Sequence, residues 1–217
     1  MDNTYTFFTS DNGYYLGNHR QVLGKVAPYE EEFRVTMIVR GPGVPAGKTR
    51  EQLAVNIDLA PTWAALAGAK APDFVDGRSL VSLLGDNPPE LSQWRQSFSM
   101  ENGPERETGV VEQTPNTDQG LLEPEDQDQT DAAALPAKQR RGLALPYFRG
   151  VRLQTMSYVE YVTGEKELYD IRADPYQLQN LAAKTDSKLL AQLSARVKEL
   201  MTCKAAPCRA VEDAPLK

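Results

Sequence analysis

The sequence predicts an α/β chain: part of a central sheet backed by helix, followed by a small C-terminal antiparallel sheet that a second helix covers. Three observations predict it. Two short apolar runs, Tyr5–Phe8 and Val35–Arg40, run into turn-forming residues, Asp11-Asn12-Gly13 and Gly41-Pro42-Gly43. Alternating segments recur after Tyr147, and the last of them precedes a long amphipathic stretch. The two parts are separated by polar sequence that lacks apolar periodicity.

Tyr5 to Phe8 is aromatic and β-branched, the composition of a short buried strand. Asp11-Asn12-Gly13 stops it, because Asn and Gly accept positive φ cheaply. The second run holds four apolar residues in six, is too short for a helix, and reads as a strand of the same sheet. Arg34 and Arg40 flank it; either could contact substrate, and the favoured reading is that they pair with the acidic turn Glu30-Glu31-Glu32. Asp58 can cap a helix from Leu59, with Pro61 tolerated in the first turn and Gly68 closing the element. A short helix or turn fits Ser79–Leu84, and Ser97–Met100 alternates as a strand with one buried face.

Between Glu101 and Asp131 there are ten acidic residues and one basic, a local charge of −9 in a chain of −6, which leaves the remainder at +3. Such composition buries too little apolar surface to offset chain entropy, so a flexible acidic insert is expected over 102–141. Order should return at Tyr147, with a hairpin of Gly150–Thr155 and Ser157–Thr163 and a third antiparallel strand at Glu167–Asp170. A helix over Ser187–Met201 gathers Leu189, Leu193, Val197, Leu200 and Met201 on one stripe, which should cover the small sheet. The expected units are 1–101, the insert 102–141, and a small α+β unit over 142–217.

Charge and hydropathy exclude several classes. The near-neutral remainder carries no basic stripe for nucleic acid, and no run of about 18 apolar residues offers a membrane span. No basic region precedes an apolar one as in a signal peptide. A hydrophobic content of 41% is adequate for a packed core. Met1 to Thr4 runs almost directly into a core strand, so a fragment is expected.

In open α/β sheets, ligand sites lie beyond the carboxyl ends of strands, which is where Asp11, Asn12, His19 and Lys25 stand. A carboxylate and an amide carbonyl are hard oxygen donors suited to Ca²⁺ or Mg²⁺. A lysine and the only histidine of the chain can face an oxyanion held against that metal. Taken singly, each residue also has an ordinary reading as turn, core or solvated side chain. Cys203 and Cys208, with four residues between them, allow either a small disulfide loop or two free thiols, and with one distant histidine they are too few for zinc.

Ser10-Asp11-Asn12-Gly13, Leu16-Gly17-x-His19, Gly24-Lys25, Tyr29-Glu30-Glu31 and Arg34-Val35-x-Met37-Ile38-Val39-Arg40-Gly41-Pro42-Gly43 follow one another in an order that resembles the rear part of a type I sulfatase. Asn56 to Thr62, Asp76 to Leu80, and Glu167 to Pro175 with Asn180-Leu181 extend the resemblance to about Leu200. It implies the rear part of an alkaline-phosphatase-like α/β sheet, and sulfate-ester hydrolysis with an active-site formylglycine and one calcium ion. By that resemblance Asp11 and Asn12 are calcium ligands, Lys25 holds the sulfate or its bridging oxygen, and His19 faces the sulfate or leaving group. It also favours a Cys203–Cys208 bridge, since the family is often exported.

Two departures stand out. Thr36 occupies the place where the family usually has Pro, away from the chemistry. The Cys-x-Pro/Ala-x-Arg motif that yields formylglycine is absent, as are the early paired aspartates, and neither Cys203 nor Cys208 fits that motif. The resemblance therefore implies about half of an active site, inactive alone, whose partners are a sugar or aryl sulfate ester and the missing N-terminal half. The apolar faces of Tyr5–Phe8 and Val35–Val39 would then be exposed and solubility poor. The alternatives are a non-catalytic, partner-binding fragment and a related phosphodiesterase or phosphatase, which would need a second metal site rich in His and Asp.

Overall fold

The computed structural model describes residues 2–20, 25, 27–102 and 146–216. The expected acidic insert lies, from residue 103 onward, outside them. Strands β1 (Thr6–Phe8) and β2 (Ile38–Arg40) pair antiparallel, with Phe7 opposite Val39 and Phe8 opposite Ile38. Between them stands a short acidic helix, α1 (Glu30–Phe33). Helix α2 (Leu59–Leu66) follows a 3₁₀ turn at Asn56–Asp58, and Trp63 on it meets the Phe7 ring edge-on at 6.1 Å. This covers one face of the pair. On the other, Phe8 is 64% exposed and Ile38 59%, so the strand read as buried is only half covered.

Asp58 departs from its expected role. It makes no side-chain cap to α2; its carboxylate turns back to accept from the Val55 and Arg78 amides and from the Arg95 guanidinium at 2.6 and 2.8 Å. Arg95 and Asp58 are fully buried, and Glu212 supplies the second carboxylate to Arg95 at 2.8 Å. A guanidinium removed from water needs such matched acceptors, because an unpaired buried charge costs about 3–5 kcal/mol. Helix α3 (Val81–Leu84) lies where a short helix or turn was expected.

The C-terminal sheet is a four-stranded antiparallel meander of β3 (Ser97–Asn102), β4 (Phe148–Leu153), β5 (Met156–Tyr161) and β6 (Lys166–Asp170). The three strands expected after Tyr147 are joined by β3, which pairs along its whole length with β4, from Ser97 opposite Leu153 to Asn102 opposite Phe148. Gly150 in β4 is required by close approach, since a Cβ there would sit 2.6 Å from the Tyr158 carbonyl oxygen. Helix α4 (Ser187–Thr202) starts at Asp186, whose carboxylate accepts from the Lys188 amide at 3.1 Å. Its stripe of Leu193, Val197 and Leu200 packs on Val151, Leu153, Tyr158 and Leu168 as the main core. Each such side chain contributes about 1.5–3 kcal/mol on full burial.

Cys203 and Cys208 form a disulfide at the junction of α4 with the last helix, α5 (Ala205–Asp213). That helix brings Glu212 to both Arg95 and Arg78, which ties the C-terminus to the segment around α2. Among the described residues no helix is long and apolar enough to cross a membrane.

Candidate active site at the Asp11 loop

The loop after β1 is shaped by its own polar side chains. Asp11 Oδ1 accepts from the Asn12 amide at 2.9 Å and from the Ser10 hydroxyl at 3.2 Å. The Asn12 N–H bond holds the Asp11 carboxyl below the usual carboxylate range, with the Ser10 hydroxyl and the Lys25 charge acting in the same direction. Asp11 is thus ionised at neutral pH and exposed. Asn56, just before α2, clamps the loop by donating to the Ser10 and Asp11 carbonyls at 3.1 and 2.8 Å.

Asn12 turns its amide oxygen toward Lys25, whose Nζ donates to it at 3.4 Å, and its Nδ2 donates to the Gly13 carbonyl at 2.7 Å. The Gly13 amide in turn donates to the Glu32 carbonyl of α1 at 2.8 Å. A side chain at Gly13 would collide with the Glu31 carbonyl, so the loop can meet α1 only through glycine. Asp11, Asn12 and Lys25 are therefore gathered in one loop cluster.

His19 belongs to a second cluster, built on the Glu31 side chain of α1 and the Tyr29 ring. Its ring stacks on Tyr29, with centroids 3.8 Å apart and planes 10° from parallel, and its Nε2 lies 3.3 Å from Glu31 Oε2. Asn18 Nδ2 donates to the other oxygen of Glu31 at 3.3 Å. The imidazole is 9% exposed. Beneath it the Tyr29 hydroxyl reaches Glu167 Oε1 of β6 at 3.5 Å. Burial, and then the Glu167 charge, pushes the Tyr29 hydroxyl up to about 12. Burial also raises the Glu167 carboxyl, against the opposing pull of the Tyr169, Tyr161 and Tyr29 hydroxyls.

Helix α1 joins the two clusters to the C-terminal sheet. Glu30 is paired by Arg152 of β4, at 2.7 and 3.2 Å, and its amide donates to Gln177 Oε1 at 2.7 Å. Arg34 and Arg40, expected to pair with this acidic turn, do not do so: a guanidinium from β4 already occupies both oxygens of Glu30, and Glu31 is held by His19 and Asn18. Glu31 as the partner of His19, Tyr29 as a stacking platform and Asn56 as a clamp are not marked by sequence spacing. All three lie in the blocks that carry the sulfatase resemblance, which was the available signal.

The donor chemistry of Asp11 and Asn12 suits a hard cation, but two oxygens are a fraction of the about six to eight that calcium takes. Among the described residues no group of three or more His, Cys, Asp or Glu side chains converges to hold a metal. Both cysteines are in the disulfide, so no thiol remains for conversion to a formylglycine.

The mixed α/β architecture, with a polar loop at the end of a strand, is shared with solved sulfatases of the alkaline-phosphatase-like fold. A family model described as Sulfatase matches residues 1–69, the segment that holds Asp11, Asn12, His19 and Lys25. The chain is 30% identical over 212 residues to the N-acetylglucosamine-6-sulfatase of Capra hircus, covering 96% of this chain and 36% of that protein. It is 41% identical over 109 residues to an extracellular sulfatase SULF-1 homolog of Drosophila melanogaster, covering 50% of this chain and 10% of that one. A protein solved in complex with its substrate D-glucosamine-2-N,6-O-disulfate superposes with a TM-score of 0.68 at 25% identity, over 92% of this chain and 34% of that chain. The chain is similar to sulfatases over nearly all of its length, and it spans about a third of the length of the goat enzyme.

Proposed function

We propose that this chain is the rear part of a sulfatase, giving Asp11 and Asn12 to a calcium site and Lys25 and His19 to the sulfate ester, and that it is inactive alone. The observation that carries the proposal is the Asn12 side chain. Its oxygen is shared with Lys25 in a loop clamped by Asn56, within the segment that the Sulfatase model matches. An ionised Asp11 and the Asn12 carbonyl would hold the cation, and calcium bound there would supply positive charge to neutralise the ester's oxygens. The Lys25 ammonium holds a sulfate or bridging oxygen by a charge-assisted hydrogen bond. His19 helps the alcohol to leave by handling its proton. Formylglycine, the nucleophile of a complete enzyme, has no counterpart residue in this sequence.

The substrate class is a sugar or aryl sulfate ester. The remainder of the enzyme is the partner that would cover Phe8, Ile38 and Trp63, all more than half exposed in this chain. Calorimetric titration of the full chain with calcium, beside an assay on a generic aryl sulfate, tests the reading. Weak binding that disappears in Asp11→Ala, with no turnover by either protein, is expected. Binding unaffected by Asp11→Ala, or none at all, would leave a non-catalytic fragment as the better account.

A further inference from the structure

We infer that Glu31 is the positioning residue for His19, holding the ring in the tautomer whose Nε2–H faces the carboxylate and whose Nδ1 lone pair is left for substrate. The inference rests on the reading of His19 as substrate-facing. An ionised carboxylate only accepts hydrogen bonds, so the nitrogen 3.3 Å from Glu31 Oε2 carries the proton of the neutral ring. Among the described residues, Nε2 to Glu31 is the hydrogen bond that His19 makes, and Nδ1 has none.

Glu31 is itself fixed. Its second oxygen accepts from Asn18, the residue before His19, so both oxygens are committed to the same turn and the carboxylate cannot rotate away without losing a partner. The backbone supplies an independent sign. His19 has φ of 53°, in the left-handed region that a non-glycine residue enters at a cost and keeps only when its surroundings enforce it. Stacking on Tyr29 and the bond to Glu31 are the surroundings that enforce it.

The arrangement has a chemical use. When Nδ1 takes the proton of the attacking hydroxyl, whose O–H bond breaks as the N–H bond forms, the ring becomes an imidazolium, and a carboxylate already resting on Nε2–H stabilises that charge without reorganisation. When the proton moves on to the departing alkoxide oxygen, the ring returns to the tautomer it started from. Glu31 reaches the reacting atoms only through His19 in this scheme, which makes it a positioning residue.

The experiment is long-range ¹H–¹⁵N NMR of the ring in the full chain, at about pH 8.5, where an ordinary imidazole is neutral. With one histidine in 217 residues, the ring nitrogens give a single pair of signals. Wild type should show a slowly exchanging proton on Nε2 and a bare Nδ1. Glu31→Ala should lose the Nε2–H signal and give averaged nitrogens, and Glu31→Gln, whose amide oxygen can still accept, should recover it. A purely architectural Glu31 would leave the ring nitrogens alike in all three proteins, and that result overturns the inference, as does a wild-type proton on Nδ1. Should Glu31→Ala fail to fold, the nitrogen that carries the proton in wild type decides alone. No calcium is needed, so this result and the calcium titration fail independently.

Discussion

The two sheets among the described residues are built from the same kind of pairing and reach opposite ends. In the C-terminal sheet, β3 to β6 form three antiparallel ladders, and α4 seals one face with Leu193 at 0% exposure over Val151 and Tyr158, each also at 0%. The front pair, β1 and β2, has one ladder of three residue pairs and leaves Phe8 and Ile38 side by side in solvent. A two-stranded ribbon is marginal in water, whereas three or more strands under a helix are self-sustaining. The chemistry-bearing loop nevertheless hangs from the weaker sheet. It is held by polar links instead: Gly13 to α1, Asn56 to the Asp11 carbonyl, and α1 to Arg152 of β4. Stability and chemistry are thus carried by different regions.

Three substitutions probe that contrast. Leu193→Ala should have the largest effect, about 2–5 kcal/mol, because it opens a cavity under the covered sheet; a urea titration would read it as a lowered midpoint. Glu167→Gln should act through pH. Burial raises the Glu167 carboxyl above its ordinary value, so the folded chain holds this proton more tightly than the unfolded chain does. The resulting contribution to stability is full below the ordinary glutamate value, falls as pH rises through the raised one, and is a standing cost at neutral pH. Glu167→Gln should therefore raise the neutral-pH melting temperature and flatten its decline with rising pH, and an unchanged profile would contradict the assignment. Ile38→Thr should be smallest, within about 0.5 kcal/mol, since the side chain is 59% exposed. It should reduce self-association in sedimentation, and a large loss of stability would mean that the front face is covered after all.

Much of this was legible in the sequence. Alternation marked β4, β5 and β6, and the apolar stripe from Leu189 to Met201 marked α4 nearly to the residue. Turn chemistry drew attention to Asp11 and Asn12, and the order of motifs connected them with Lys25 and His19. Three things were not legible. A local pattern tells which face of a strand is apolar, not what covers it: the composition of Tyr5–Phe8 is that of a buried strand, and it is the expectation of a fragment, not the strand itself, that anticipates Phe8 standing in solvent. The position of Asp58 before α2 suggested a cap, while the buried guanidinium of Arg95, thirty-seven residues away, claimed the carboxylate. The partner of Glu31 was equally hidden, because α1 meets the 18–20 turn through tertiary folding rather than through sequence spacing.

Native-state hydrogen exchange on the full chain tests the division of labour most directly. The account predicts that amides of β4 and β5 exchange last, at the limit set by global unfolding, while those of β1 and β2 exchange earlier through local opening that leaves the C-terminal sheet intact. Exchange of both sheets in one step, with the same denaturant dependence, would contradict it and show that the front pair is already part of a single cooperative unit.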